Sequence, residues 1–123
     1  VDAAGIGKIY LDGEVIVRQG EVGDCMYVIQ SGKAKVEEEI NGQTVPLAVL
    51  AENDFFGEMA IFERQARSAT VRACGEARVL TVDKKTLFRR IQQDPALAFR
   101  LLEYLCHRLR NLDREFARLK TAI

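Results

Sequence analysis

The stretch Lys33-Ala34-Lys35-Val36-Glu37-Glu38-Glu39-Ile40-Asn41-Gly42-Gln43-Thr44-Val45-Pro46-Leu47-Ala48-Val49-Leu50 reads as two extended runs around a two-residue turn. Asn-Gly between β-rich segments is a strong hairpin signal, because both residues tolerate the positive φ that a tight hairpin turn demands. Outward from it the grammar repeats. Lys8–Leu11, Glu14–Val17 and Met26–Ile29 precede it as short β-branched or alternating runs. Asp12-Gly13, Gly20, Gly23 and Ser31-Gly32 punctuate them as turn glycines. After the polar turn at Glu52-Asn53-Asp54, Ser68–Ala73 and Ala77–Val82 give two more strands around Gly75. Roughly eight short strands at this spacing predict an antiparallel jelly-roll barrel.

Beyond Val82 the period changes from strand to helix. Asp83 is placed to cap a helix over Lys84–Gln92, and Asp94-Pro95 to start a longer one running to about Leu119. The fold class is therefore α+β: a short-stranded barrel over about 5–82, then C-terminal helices over about 83–120, the last one long. A chain of 123 residues makes this one domain, 1–123.

Composition narrows the function classes. Hydrophobic content of 48% and charged content of 29% suit a globular chain. Eighteen basic and eighteen acidic residues cancel, so no surplus of positive charge predicts contact with nucleic acid or acidic membranes from this segment. No apolar run nears the ~20 residues of a membrane span. Cys25, Cys74 and Cys106 are odd in number and widely spaced, which fits reduced thiols in a cytoplasmic protein better than a disulfide framework or a metal site. With His107 as the single histidine, a metal-dependent jelly-roll enzyme is disfavoured, and neither catalytic nor metal-binding residues are assigned. The chain begins at Val1 without a basic, signal-like head, and the expectation is a segment of something longer.

The last helix carries its own pattern. Ala98, Leu102, Leu105, Leu109, Leu112, Phe116, Leu119 and Ile123 alternate spacings of four and three, the seam of a coiled coil. In this register Arg108 and Glu115 take g positions, and Asp113 and Lys120 take e positions. A parallel homodimer through the 95–120 helix would pair Arg108 with Asp113, and Glu115 with Lys120, across the seam. Packing of the same face on the chain's own β-domain is the alternative.

Two segments point to a ligand. Phe55-Phe56-Gly57-Glu58-Met59-Ala60-Ile61 followed by Arg67-Ser68-Ala69-Thr70-Val71 resembles the phosphate-binding cassette of cyclic-nucleotide-binding domains. Upstream, Ile16-Val17, Gly20-Glu21-Val22-Gly23, Met26-Tyr27-Val28-Ile29 and Gly32 are similar to that family's second signature. The resemblance implies a regulatory sensor domain, with Gly57, Glu58, Met59, Ala60, Arg67, Ser68 and Ala69 around the phosphate and ribose. The chemistry suits those residues. Arg67 offers a planar fork for the two exocyclic oxygens of a cyclic phosphodiester. If Gly57 opens a short helix, as the family implies, its amides face the anion and the backbone can approach the sugar closely. Glu58 is an acceptor for the ribose 2′-hydroxyl, and the Ser68 hydroxyl and Ala69 amide add donors. Read without the resemblance, Glu58 and Arg67 would form a surface ion pair and Ser68 would be a solvent-facing strand residue. Phe55, Phe56 and Phe62 are expected in the core.

In regulators of the bacterial catabolite-activator type, the resemblance further implies, the last helix both dimerises and covers the base, which makes Arg108, Leu112 and Asp113 candidate purine contacts. Asp113 could accept from the adenine amino group, though it matches the paired N–H donors of guanine better, and it equally serves the pair with Arg108. Ser68 in place of threonine looks like members that prefer cyclic AMP, so cyclic AMP is favoured over cyclic GMP as the ligand, with no catalytic cofactor. A family member that has lost nucleotide binding and serves as a dimerisation module is the remaining alternative.

Overall fold

The computed structural model describes residues 7–121. Expectations that fall on residues 1–6, 122 and 123, including the start of the barrel near Gly5 and the last seam residue Ile123, lie outside the described residues. The chain divides at Lys84/Lys85 into two units.

The first unit is one antiparallel sheet of β1 (Lys8–Tyr10), β2 (Val15–Val17), β3 (Cys25–Ile40), β4 (Gln43–Leu50), β5 (Phe55–Phe56) and β6 (Thr70–Asp83), with a single-turn helix α1 (Met59–Phe62). The strand order is β1-β6-β3-β4, with β2 paired to β6 and β5 to β3. Antiparallel sheet followed by helices is the expected class. Two details differ. The sheet path does not close on itself into a barrel, and six strands replace the expected eight among the described residues.

The difference in count has a physical cause. Met26–Ile29 and Lys33–Ile40 belong to one strand, β3, and Ser68–Ala73 and Ala77–Val82 fall largely within another, β6. The β3–β6 register shifts between Ile29 and Ser31 and again between Ser31 and Lys33. Gly32 lies there at φ +84, and a Cβ on it would collide with the Glu76 carbonyl oxygen. Glycine thus lets both strands bend past each other without ending the ladder. A glycine between alternating runs marked a bulge, not a turn.

The Asn41-Gly42 turn forms as expected, with φ of 54° and 79°. Ile40 pairs with Gln43, and β4 runs back along β3. That register slips between Val36, which faces Ala48, and Glu37, which faces Pro46. β4 lies at one end of the strand order, and within it Pro46 has no N–H to donate.

The core follows from period-two alternation. Val71, Ala73, Ala77 and Val79 of β6 meet Ile29 and Ala34 of β3, Val17 of β2 and Phe56 of β5, all buried. Phe56 is core as expected and Phe55 is half-buried, but Phe62 is 67% exposed. One helical turn explains it. Ala60 and Ile61 face inward, which leaves Met59 and Phe62, three residues apart, on the outer side.

The second unit, from Lys85, holds all but the first residue of α2 (Lys84–Gln93) and the whole described length of α3 (Ala96–Thr121). Asp83, expected to cap α2, is the last residue of β6 and directly precedes the first residue of α2. The α3 start is as read: Ala96 N donates to Asp94 Oδ1 at 3.2 Å, and Arg100 closes on the other carboxylate oxygen at 3.2 Å. On α3, Ala98 and Leu105 are half-buried, while Leu102, Leu109, Leu112, Phe116 and Leu119 are exposed.

Candidate functional site

The cassette is assembled on the Tyr27–Phe56 contact. Tyr27 of β3 is in register with Phe56 of β5, and their rings stack with centroids 5.0 Å apart and 14° between planes. Gly57 follows directly, at φ +76, and turns the chain into α1. Glu58 occupies the N-cap position in helical conformation, without a side-chain cap hydrogen bond. It is 3% exposed, the one buried charged residue among those described. Glu58 is therefore a buried residue and not a surface one. Ala60 is buried and Met59 exposed.

The second half of the cassette runs against the loop after β2. Val22 bridges to Ala66, Arg67 N donates to Glu21 O at 2.8 Å, and Gly20 N donates to Arg67 O at 2.8 Å. This short ladder brings Arg67 beside Gly57. Its Nη1 donates to Gly57 O at 3.1 Å and its Nη2 to Cys25 O at 2.8 Å. The guanidinium carbon lies 5.5 Å from the Tyr27 ring centroid. Ser68 and Ala69 follow in a bend, Ser68 exposed and Ala69 half-buried, and the strand begins only at Thr70. Ser68 is thus not a strand residue.

Three residues around Arg67 were not singled out from the sequence as site residues: Gly23, Cys25 and Tyr27. Cys25 contributes its carbonyl, which any residue could supply, so no side-chain signal marks it. Its thiol donates to Tyr27 Oη at 3.6 Å. The Tyr27 hydroxyl is pushed up to about 12, first by burial and then by Cys25, against the opposing pull of Arg67. The sequence predicts a turn glycine at Gly23, but its φ is not positive, and a Cβ there would strike the Arg67 guanidinium.

Arg108, Leu112 and Asp113 stand in the second unit, all exposed on α3. Arg108 lies over the Tyr104 ring at 5.9 Å. Glu115 meets Arg118 of its own helix at 3.9 Å. Among the described residues, no group of three or more His, Cys, Asp or Glu side chains is placed to hold a metal ion. No helix among them is long and apolar enough to cross a membrane.

The Gly57 turn thus carries the buried Glu58 directly after it and accepts the Arg67 guanidinium on its carbonyl. The family profile of the cyclic nucleotide-binding domain matches residues 8–94, and the chain belongs to that family. It is 31% identical over 109 residues to the cyclic AMP receptor protein of Thermus thermophilus, covering 88% of this chain and 50% of that one. It is 42% identical over 80 residues to the cGMP-dependent protein kinase egl-4 of Caenorhabditis elegans, covering 63% of this chain and 10% of the kinase. Among solved structures, the Thermus thermophilus catabolite activator protein superposes with a TM-score of 0.83 at 31% identity, covering 92% of this chain and 54% of that one. The chain thus spans half or less of the length of these curated relatives. Relatives named for cyclic AMP and for cyclic GMP both occur, and the domain is of the cyclic-nucleotide-binding regulatory type.

Proposed function

We propose that this domain is a sensor that binds a cyclic nucleotide, cyclic AMP in preference to cyclic GMP, and passes the binding event on through its C-terminal helix. The observation that carries the reading is the setting of Arg67, a half-buried guanidinium brought to the Gly57 turn beside the buried Glu58. Arg67 takes the two exocyclic phosphate oxygens, and the Gly57–Ala60 turn lies along the sugar-phosphate. Glu58 accepts from the ribose 2′-hydroxyl, and the Ser68 hydroxyl and Ala69 amide complete the anion's donors. Ser68 inclines the base preference to cyclic AMP; the cyclic-GMP-dependent kinase relative keeps cyclic GMP as the competing ligand.

No catalytic role is proposed for any residue. Signal transmission requires only that the ligand favour one helix placement over another, by no more than its differential affinity for the two. A second copy of the chain, docked in parallel along residues 95–120, is the proposed partner, with Arg108, Leu112 and Asp113 at or near the base. The proposed setting is the cytoplasm, where cyclic nucleotides are made.

Calorimetric titration of wild type and Arg67→Ala with both nucleotides tests the reading. A charge-assisted hydrogen bond is worth about 1.5–3 kcal/mol, so Arg67→Ala is expected to weaken binding at least about tenfold. Absence of binding by wild type to either nucleotide sinks the reading, and equal binding by the variant removes Arg67 from its role.

A further inference from the structure

We propose that Gly23 and Tyr27 form a slot that fixes the guanidinium of Arg67, making both of them positioning residues for the nucleotide's phosphate. The inference rests on the phosphate reading of Arg67 and extends it to residues that touch no ligand.

Two residues bound the guanidinium, Tyr27 and Gly23. One is the Tyr27 ring, whose centroid lies 5.5 Å from the guanidinium carbon. That ring is itself braced by the stacked Phe56 and by pairing of Tyr27 with Thr81 in the adjoining strand. The other is the backbone of Gly23. A Cβ built there would be nearly equidistant from Nε, Cζ and Nη2 of Arg67, as a group above the plane must be. Because φ at Gly23 is not positive, conformation does not demand glycine at this position; a Cβ there would instead displace the Arg67 guanidinium. A third small residue closes the edge, since a Cβ on Gly57 would come within 2.6 Å of Nη1.

Rotation within the plane is set separately. Nη1 is tied to Gly57 O and Nη2 to Cys25 O, carbonyls on two different chain segments. Faces and edges are thus both restrained before any anion arrives. A long arginine normally loses rotamer freedom on binding, and here that loss is taken at folding instead. The Tyr27 hydroxyl stays protonated far above neutral pH, so the ring presents a neutral face to the cation.

The test separates positioning from packing. Cyclic AMP and cyclic GMP binding is titrated for wild type, Tyr27→Phe, Tyr27→Leu and Gly23→Ala, each also in an Arg67→Lys background. Tyr27→Leu and Gly23→Ala are expected to weaken binding about tenfold, and Tyr27→Phe, which keeps the ring face, rescues it. In the Arg67→Lys background, which lacks a planar fork, the same changes cost less than about twofold. Equal losses in both backgrounds, or a Phe variant as weak as Leu, overturn the proposal. A ligand-free arm follows the Arg67 Nε–H resonance by NMR in each folded variant. It should be sharp and slow to exchange in wild type and Tyr27→Phe, and averaged in Gly23→Ala. An unchanged resonance in Gly23→Ala overturns the slot even if binding falls. A wild type that binds neither nucleotide removes the phosphate reading and with it the positioning role, and NMR then judges the slot alone.

Discussion

Gln19 and Glu39 exchange two hydrogen bonds, Gln19 Nε2 to Glu39 O at 3.2 Å and Glu39 N to Gln19 Oε1 at 2.7 Å. A side-chain amide here does what a neighbouring strand would do. β6 begins at Thr70, opposite Glu37, so the backbone of Glu39 lies past its reach. Gln19 takes over, and its own N donates to Thr70 Oγ1 at 3.0 Å. The Gln19→Ala variant is expected to lose about 1 kcal/mol of stability, since the exposed groups it leaves can turn to water. Urea unfolding at unchanged m-value measures this; an unchanged midpoint contradicts it.

Glu58 distinguishes ribose from deoxyribose in the proposed complex. The Glu58→Gln variant keeps the volume but loses the charged acceptor. Its affinity for cyclic AMP is expected to fall about tenfold, while its affinity for the 2′-deoxy analogue stays near that of wild type. Parallel titrations with the two ligands decide the point, and an equal loss for both places Glu58 elsewhere.

Tyr27 ties stability to alkaline pH. Burial is the first cause of the rise of its hydroxyl from 10.0 to about 12. A group whose folded value is raised holds its proton more tightly in the folded state. Its contribution is therefore complete below pH 10 and is lost as pH climbs towards about 12. Denaturation across that window should show a fall in stability that Tyr27→Phe lacks. A matching slope in the Phe variant excludes Tyr27 as its source.

The α3 stripe is expected to close in a dimer. Leu109, Leu112, Phe116 and Leu119 are 61%, 62%, 62% and 66% exposed, and they recur at the four-three spacing. Sedimentation at micromolar concentration should find a dimer in wild type and a monomer in Phe116→Lys. Exchanging the charges of Arg108 and Asp113 together should restore what either single reversal weakens, if the seam is parallel.

What could be read in advance was what neighbouring residues decide. Asn41-Gly42 needs only its own two φ angles, and Asp94 caps a helix that begins two residues later. What could not be read depended on distant chain. Gly32 and Gly75 look like turns because the sequence does not disclose that β3 and β6 shift register together. Phe62 looks like core because its one-turn helix shows its inward side only in place. Of the candidate site, the cassette residues are named through the resemblance, and the structure brings Arg67 of that set to the Gly57 carbonyl. Gly23 was not legible as a site residue, because the group that excludes its side chain lies on Arg67, which bonds across to Cys25 from 42 residues away.

The slipped register of β4 limits what a foreign strand could pair with. A foreign strand laid along that outer border would need an unbroken row of amides to copy. Pro46 supplies none, and the slip beside it throws a growing ladder out of phase at Leu47. Only Gln43–Val45 on one side and Leu47–Leu50 on the other remain as templates, each too short to seed a fibril. With Leu47 and Val49 exposed on the same strand, that interruption shortens the ladder that a second strand could add along this apolar border.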